Sequence, residues 1–306
     1  MPSRPGTWAQ LLADSRARLE ATGVDEAESR LRWLAAHLLD CGLLDVQRHL
    51  SAQPTPARRD AFARGVDRLA VHEPVQYVIG ETDFLGLRVL CDQRALIPRP
   101  ETEELTQLAL EKLRPMPGQP VVVDACTGSG CVACALALMA PQARVLATDI
   151  SSDALALASE NARRLGANVE FIQTDLLEGL PPASVDMVVS NPPYVSTADC
   201  ANLPAHVRDF EPAMALDGGR DGLQLISRLV SQAARVIVPE GWLLLEIGDD
   251  QAEAIRRILC PRNQFNLISL RSDYAGRERL ALAKRVRKSS RAPTGPDADT
   301  PASMPL

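Results

Sequence analysis

Apolar positions along the first 73 residues recur with the spacing of an α-helix. Leu31, Leu34 and Leu38 fall on one face of a helix with about 3.6 residues per turn. Thr55 followed by Pro56 marks the start of a further helix, because proline suits the first helical turn. No pair of catalytic groups stands out in this region. We therefore predict a small all-α domain over residues 1–73 and interpret it as a substrate-recognition domain.

Residues 74–97 depart from helical spacing. Two runs rich in β-forming residues, VQYVI and LRVLC, flank the polar and glycine-bearing stretch GETDFLG. This arrangement is typical of a β-hairpin. We predict that the hairpin links the helical domain to the rest of the chain.

From residue 121 onward, apolar strand-like runs alternate with helical patterns. The runs are VVVD, VLATDI, VEFIQTD, VDMVVSN and WLLLEIG. Such alternation predicts an α/β domain with a mostly parallel sheet covered on both faces. FNLISLRSD and RLALAKRV predict a closing antiparallel pair, which brings the strands to seven. We assign this domain to residues 98–286, and predict that residues 287–306, rich in Pro, Ser, Thr and Asp, form a disordered tail.

The composition argues against proteins that bind long nucleic acids, span a membrane or are secreted. The 306 residues are 46% hydrophobic and carry a net charge of −6, whereas proteins that bind long nucleic acids are usually basic. No apolar stretch reaches the ~18 residues that cross a bilayer. The N-terminal stretch MPSRPGTWAQ lacks the apolar core of a secretory signal. We therefore expect a cytoplasmic protein with neither a membrane partner nor a direct nucleic-acid partner.

The cysteines give no sign of a metal site. Their number is seven, and they are scattered through apolar segments, which suits a reducing compartment. Cys131 and Cys134 form a C-x-x-C pair, but no second pair and no nearby histidine completes a tetrahedral site. We interpret both as small buried residues of a helix and predict that no metal is bound.

A glycine-rich loop follows the first strand of the predicted sheet. Gly128, Gly130 and Ala133 fit the pattern G-x-G-x-x-A between a strand and a helix, where glycine lets the backbone approach a ligand closely. Asp149 ends the next strand about twenty residues later, where a carboxylate can accept hydrogen bonds from both hydroxyls of a ribose. This pattern alone also fits a nicotinamide dinucleotide.

Two further carboxylates favour S-adenosylmethionine. Asp124 precedes the glycine loop, where its charge would repel a pyrophosphate but suits a cationic amine. Asp175 follows the third strand and offers an acceptor for the amine of adenine. S-adenosylmethionine carries an α-amine and a sulfonium but no phosphate. We therefore predict this cofactor at the carboxyl ends of the strands.

The stretch SNPPYVS ends the fourth strand at the same edge. The side-chain oxygen of Asn191 can accept one N–H of a planar NH2 group, and the carbonyl of Pro192 can accept the other. Proline stiffens this arrangement, and Tyr194 can stack on the flat amide. Since positioning can contribute ~7–11 kcal/mol to catalysis, neither a metal nor a general base is required. Asn191, Pro192 and Tyr194 are the predicted catalytic residues.

The order DACTGSG, TDIS, TDLL, SNPPYV resembles the class I methyltransferases that use S-adenosylmethionine to modify planar amino groups. LIPRPETEEL, EPAMALDGGRDG and YAGRERLALAKR narrow the resemblance to protein-(glutamine-N5) methyltransferases, in particular the release factor branch. The resemblance extends from Pro74 to Arg285, and the helical N-terminal domain also fits the family. It implies a Rossmann-like, seven-stranded domain and, as substrate, the glutamine of the Gly-Gly-Gln motif in class 1 peptide chain release factors.

The resemblance also implies roles for individual residues. Asp149 would hold the ribose, and Asn191 would contact both cofactor and glutamine. Cys126 departs from the family, which often has glycine there, and this could displace the loop slightly. The predicted cofactor-binding residues are Asp124, Cys126, Thr127, Gly128, Ser129, Gly130, Asp149, Asp175, Leu176 and Asn191. The predicted substrate-binding residues are Asn191, Pro192, Pro193 and Tyr194, with Arg99 and Thr102 closing over the site.

Three alternatives stay open from the sequence. The ribosomal-protein branch of the family shares the NPPY motif, and IPRPETEEL resembles it less well than the release factor branch. Methyltransferases of N6-adenine also use an NPPY-like motif, but they should bring a basic, aromatic-lined groove. The acidic chain has only 4% aromatic residues. A non-catalytic member of the family is disfavoured by the intact glycine loop and Asn191. We expect the protein to be a monomer.

Overall fold

A computed structural model describes residues 6–260 and 264–287. The N-terminal part is helical, with α1 (Trp8–Ala21), α2 (Ala27–Leu39), a 3-10 helix (Asp45–His49) and α3 (Pro56–Leu69). The Thr55 hydroxyl accepts a hydrogen bond from the Arg58 N–H, and Pro56 opens α3, which confirms the predicted start. Trp8 packs edge-on against Phe62, with ring centroids 5.4 Å apart, in the core of this part.

The hairpin is present, but one of its predicted strands is wrong. Strands β1 (Glu81–Phe84) and β2 (Leu87–Leu90) pair antiparallel, whereas the run VQYVI forms the short helix α4 (Val75–Ile79). Short apolar runs fit helix and strand equally well, so the flanking residues decide. Pro74 precedes the first turn of α4, and Gly80 ends it with φ 86°, a conformation that glycine adopts freely.

The remaining strands form one seven-stranded sheet in the order β5-β4-β3-β6-β7-β9-β8. The first five strands in chain order, β3 to β7, are parallel, and β8 and β9 add an antiparallel edge, as predicted. The strands are β3 (Val121–Ala125), β4 (Arg144–Asp149), β5 (Val169–Gln173), β6 (Val185–Ser190), β7 (Ile237–Glu246), β8 (Phe265–Ser272) and β9 (Glu278–Arg285).

Helices cover both faces of this sheet. Neighbouring strand residues such as Val122 and Val123 belong to different buried clusters, because successive side chains point to opposite faces. The helices that cover the sheet are α5 (Pro100–Leu113), α6 (Cys131–Met139), α7 (Ser152–Leu165), α10 (Gln224–Val236) and α11 (Ala252–Leu259). The short helices α8 (Thr197–Cys200) and α9 (Ala205–Arg208) and a further 3-10 helix (Ala213–Ala215) lie between β6 and α10 in the chain and contain no buried residue.

The strand order reverses between β3 and β6, so their loops diverge to opposite sides of the sheet. In open α/β sheets, ligands bind in the crevice that this divergence opens at the carboxyl ends of the strands. Cys131 and Cys134 lie buried on α6, as predicted.

Within the residues described, no helix has the length and apolar character to cross a membrane. The predicted disordered tail lies outside the described residues, apart from Arg287.

Candidate active site

A cavity of about 550 Å3 opens at the carboxyl ends of β3, β4 and β6. Its volume falls within the roughly 300–1,000 Å3 of small-molecule sites. Gly130, Pro192 and Tyr194 are the predicted site residues that do not line it. The predicted residues that do line it are Arg99, Thr102, Asp124, Cys126, Thr127, Gly128, Ser129, Asp149, Asp175, Leu176, Asn191 and Pro193.

The glycine loop turns sharply between β3 and α6. Gly128 and Gly130 have φ values of 54° and 76°, the left-handed region. A Cβ on Gly130 would lie 2.8 Å from the Cβ of Ala158 on α7, so only glycine lets the loop pack there. Cys126 also has a positive φ, 58°, which explains why glycine would suit this position. Gly130 therefore allows the loop to pack against α7, whereas Gly128 lines the cavity.

Asp124 is the penultimate residue of β3, beneath the loop, and is 1% exposed. The Thr127 hydroxyl donates to its Oδ2 at 2.6 Å, and the Ala133 N–H donates to the same oxygen at 3.1 Å. Burial raises the pKa of Asp124 to about 7, although these two donors oppose the shift. Its Oδ1 has no hydrogen-bond partner within the described ranges. Because Asp124 lines the cavity, this oxygen suits a cationic amine.

Asp149 ends β4 on the other side of the loop. The Gly128 N–H donates to its Oδ2 at 3.0 Å and the Ser151 N–H to its Oδ1 at 2.9 Å. Burial raises the pKa of this carboxyl, and the backbone donors partly offset the effect. A carboxylate has about four lone-pair positions. Each oxygen of Asp149 therefore keeps capacity for a further donor, which fits the two hydroxyls of a ribose.

Asp175 and Leu176 lie just beyond β5. The Arg228 guanidinium on α10 donates to Asp175 Oδ2 at 2.7 Å, an ion pair that sequence patterns did not indicate. The pair leaves Oδ1 of Asp175 for a ligand. The backbone at Leu176 is left-handed, with φ 57°, and its carbonyl accepts a hydrogen bond from the Thr148 hydroxyl at 2.8 Å.

Asn191 directly follows β6 and is held by a threonine of α5. Its side-chain Nδ2 lies 3.0 Å from Thr102 Oγ1, and that hydroxyl lies 2.6 Å from Oε2 of Glu246 at the end of β7. Glu246 is fully buried, and burial raises its pKa to about 7. The sequence analysis did not single out Glu246, although a glutamate inside the apolar run WLLLEIG indicates a buried carboxyl.

Tyr194 points its hydroxyl toward the same glutamate. Arg279 of β9 donates to the phenol oxygen at 2.6 Å, and the phenol lies 3.4 Å from Glu246 Oε1. The guanidinium carbon of Arg279 also lies 5.0 Å from the centre of the Tyr194 ring. Burial raises the pKa of Tyr194 to about 12. The tyrosine is therefore a neutral link between the Arg279 guanidinium and the buried carboxyl of Glu246.

Two glycines of the DGGRDG loop let it pack closely against the backbone of the NPPY stretch. A Cβ on Gly222 would lie 2.2 Å from the Tyr194 carbonyl oxygen, and one on Gly218 would lie 2.6 Å from that of Pro193. The Gln251 side chain donates to the Tyr194 carbonyl at 2.9 Å. This loop therefore lies directly against the backbone of the predicted substrate site.

Arg99, at the start of α5, forms an ion pair with the buried Glu211. The other carboxylate oxygen of Glu211 accepts a hydrogen bond from the Ile97 N–H at 3.1 Å. The segment before α5 and the segment after α9 are thus joined at the edge of the cavity. Glu211 is a second buried carboxylate that sequence patterns did not single out.

Comparisons with known proteins identify the family of this chain. Residues 97–206 match the Methyltransferase small domain, and residues 10–80 match the PrmC N-terminal domain. A release factor glutamine methyltransferase of Moorella thermoacetica is 41% identical over 285 residues, which cover 91% of this chain and 99% of the relative. The chain belongs to the release factor glutamine methyltransferase family.

Family members extend to human proteins. The MTRF1L release factor glutamine methyltransferase of Homo sapiens is 32% identical and covers 87% of this chain and 84% of its own length. Among solved structures, the hMettl16 catalytic domain in complex with the MAT2A 3'UTR hairpin 6 aligns with a TM-score of 0.53 at 15% identity, covering 74% of this chain and 82% of that one. At such low identity the likeness concerns the fold alone.

Proposed function

We propose that this protein transfers a methyl group from S-adenosylmethionine to the side-chain nitrogen of the glutamine in the Gly-Gly-Gln motif of class 1 peptide chain release factors. Membership of the family supports the reaction and the substrate. The observation that carries the proposal is the position of Asn191. Its amide lines the cavity, and its Oδ1 has no hydrogen-bond partner among the residues described.

The residues around the cavity fit S-adenosylmethionine. When bound, this cofactor supplies an electrophilic methyl group on a sulfonium. Asp124 offers a free carboxylate oxygen for the α-amine, and Asp149 offers two for the ribose hydroxyls. Asp175 lines the same cavity and would accept from the adenine amine through Oδ1, since its Oδ2 is already paired to Arg228. A pyrophosphate would meet the negative charge of these carboxylates, which disfavours a dinucleotide.

The acceptor amide needs orientation more than activation. Asn191 Oδ1 would accept one of its two N–H groups, and the Pro192 carbonyl stays the predicted acceptor of the other, because Pro192 does not line the cavity. The two bonds together would align the nitrogen with the methyl group. The amide lone pair is delocalised, so alignment is the main contribution of the site. The proton leaves once the nitrogen is alkylated. The stacking of Tyr194 on the amide stays a prediction, because Tyr194 does not line the cavity.

A methylation assay tests the proposal. The purified protein, S-adenosylmethionine and a release factor are incubated together, and the release factor peptides are analysed by mass spectrometry. We expect one added methyl group on the Gly-Gly-Gln glutamine. Asn191→Ala should abolish the product while calorimetry shows largely unchanged cofactor affinity. Ribosomal protein and nucleic acid serve as competing substrates, and methylation of either with none on the release factor contradicts the proposal.

A further inference from the structure

We propose that Thr102 and Glu246 are positioning residues that fix which end of the Asn191 amide faces the methyl acceptor. The identity of that acceptor rests on the function proposed above. The orientation of Asn191 rests only on the contacts of its own side chain. Neither residue needs to touch the reacting atoms for this role.

The direction of the hydrogen bonds follows from the chemistry of the groups. An ionised carboxylate accepts hydrogen bonds and donates none. When Glu246 is ionised, the Thr102 hydroxyl, 2.6 Å from Glu246 Oε2, must therefore use its single hydrogen there. Toward Asn191, 3.0 Å away, Thr102 can then only accept. The NH2 end of the Asn191 amide consequently faces Thr102, and its oxygen faces the cavity.

The ionised form of Glu246 has a cation beside it. The Arg279 guanidinium lies 3.6 Å from Oε1, and Arg279 also donates to the Tyr194 hydroxyl. Glu101, on the same helix as Thr102, opposes ionisation, and burial does so more strongly. Glu246 does not line the cavity, so a direct role in cofactor binding does not explain why this carboxyl is buried.

The opposite orientation would be unproductive. A reversed Asn191 amide would present its NH2 group to the NH2 group of the glutamine, which places donor against donor. The acceptor nitrogen would lose one of the two hydrogen bonds that align it with the methyl group. The hydrogen bond between Thr102 and Glu246 therefore determines whether the Asn191 oxygen can accept from the acceptor nitrogen.

Two variants of Thr102 distinguish its effect on the orientation of Asn191 from an effect on the stability of the protein. Thr102→Val keeps the shape and removes the hydroxyl, and Thr102→Ser restores the hydroxyl. Thr106→Val is the matched control, since Thr106 is also fully buried on α5 and its hydroxyl only bonds the Thr102 carbonyl within the helix. Glu246→Met removes both acceptor oxygens at similar side-chain length.

We expect Thr102→Val and Glu246→Met to lower kcat about 10-fold or more, the scale of one lost orienting interaction. Affinity for S-adenosylhomocysteine should stay within about twofold of wild type in calorimetry. Thr102→Ser and Thr106→Val should keep most of the turnover. A Thr102→Val protein with near-normal kcat would overturn the proposal, as would an equal loss of kcat in Thr106→Val.

A second readout does not depend on the substrate. In protein with isotope-labelled asparagine, the Asn191 side-chain NH2 signal is assigned by its absence from Asn191→Ala. Hydrogen exchange at this group should be slow in wild type and Thr102→Ser, and fast in Thr102→Val and Glu246→Met. Equal exchange rates in all of them refute the inference. If wild type leaves release factor unmethylated, the proposed function fails, while this measurement still decides the orientation of Asn191.

Discussion

Replacing Asn161 by leucine tests how the hairpin is attached to the active site. Asn161 lies on α7, is fully buried, and makes three hydrogen bonds. Its Nδ2 donates to the carbonyls of Leu90 and Ser129 at 3.1 and 2.9 Å, and its Oδ1 accepts from the Leu90 N–H at 2.7 Å. One side chain thus joins strand β2 of the hairpin to the glycine loop.

The cost of the substitution follows from the groups it leaves unpaired. Leucine fills a similar volume but satisfies none of the three backbone groups. An unsatisfied buried group costs about 1–3 kcal/mol. At the lower end of that range, three of them reduce the free energy of unfolding by about 3 kcal/mol. For a domain of this size such a loss lowers Tm by about 6–12 °C.

Thermal unfolding of wild type and Asn161→Leu measures this loss. Asn202→Leu is the control, because Asn202 is exposed and, among the described residues, its side chain makes a single hydrogen bond, to the Ala198 carbonyl at 3.5 Å. We also expect weaker binding of S-adenosylhomocysteine by Asn161→Leu, since the Ser129 carbonyl belongs to the cavity loop. A Tm within about 2 °C of the control, a loss below roughly 1 kcal/mol, would refute the reasoning.

Two further predictions concern the loop and the buried carboxyls. Gly130→Ala should lose more stability than the roughly 1–2 kcal/mol of left-handed strain, and should also lose cofactor affinity, because its Cβ would meet Ala158. Gly166→Ala is the control, since Gly166 has φ 71° and an added Cβ would have nothing within 4 Å, so this variant should show the strain alone. Equal losses in the two variants would count against the packing argument. Burial raises the pKa of Glu246 from 4.5 to about 7, so folding retains a proton that the unfolded chain releases. The stabilisation from Glu246 is complete below about pH 4.5 and is lost as the pH rises through about 7, a decline of about 3 kcal/mol. Denaturant titrations across this range should show a smaller decline in Glu246→Gln, and an unchanged slope would contradict the assignment.

Much of the fold could be read from local patterns. Alternating apolar runs predicted the parallel strands, and the polar residues that end them predicted one edge of the sheet. Asp124, Asp149 and Asn191 meet at that edge because parallel strands bring their carboxyl ends together. The run VQYVI was misread as a strand, since a run of five residues, four of them apolar or aromatic, contains too little periodicity to separate helix from strand.

The partners of the site residues were not predictable in the same way. Thr102 and Glu246 are 144 positions apart, and they meet only because α5 packs over β7. Arg279 reaches Tyr194 because β9 inserts beside β7, ahead of β8. Periodicity reports which face a residue occupies within one element. It does not report which element lies opposite. Local sequence thus set the strand ends and their chemistry, and the order of strands in the sheet decided which buried charge holds Asn191.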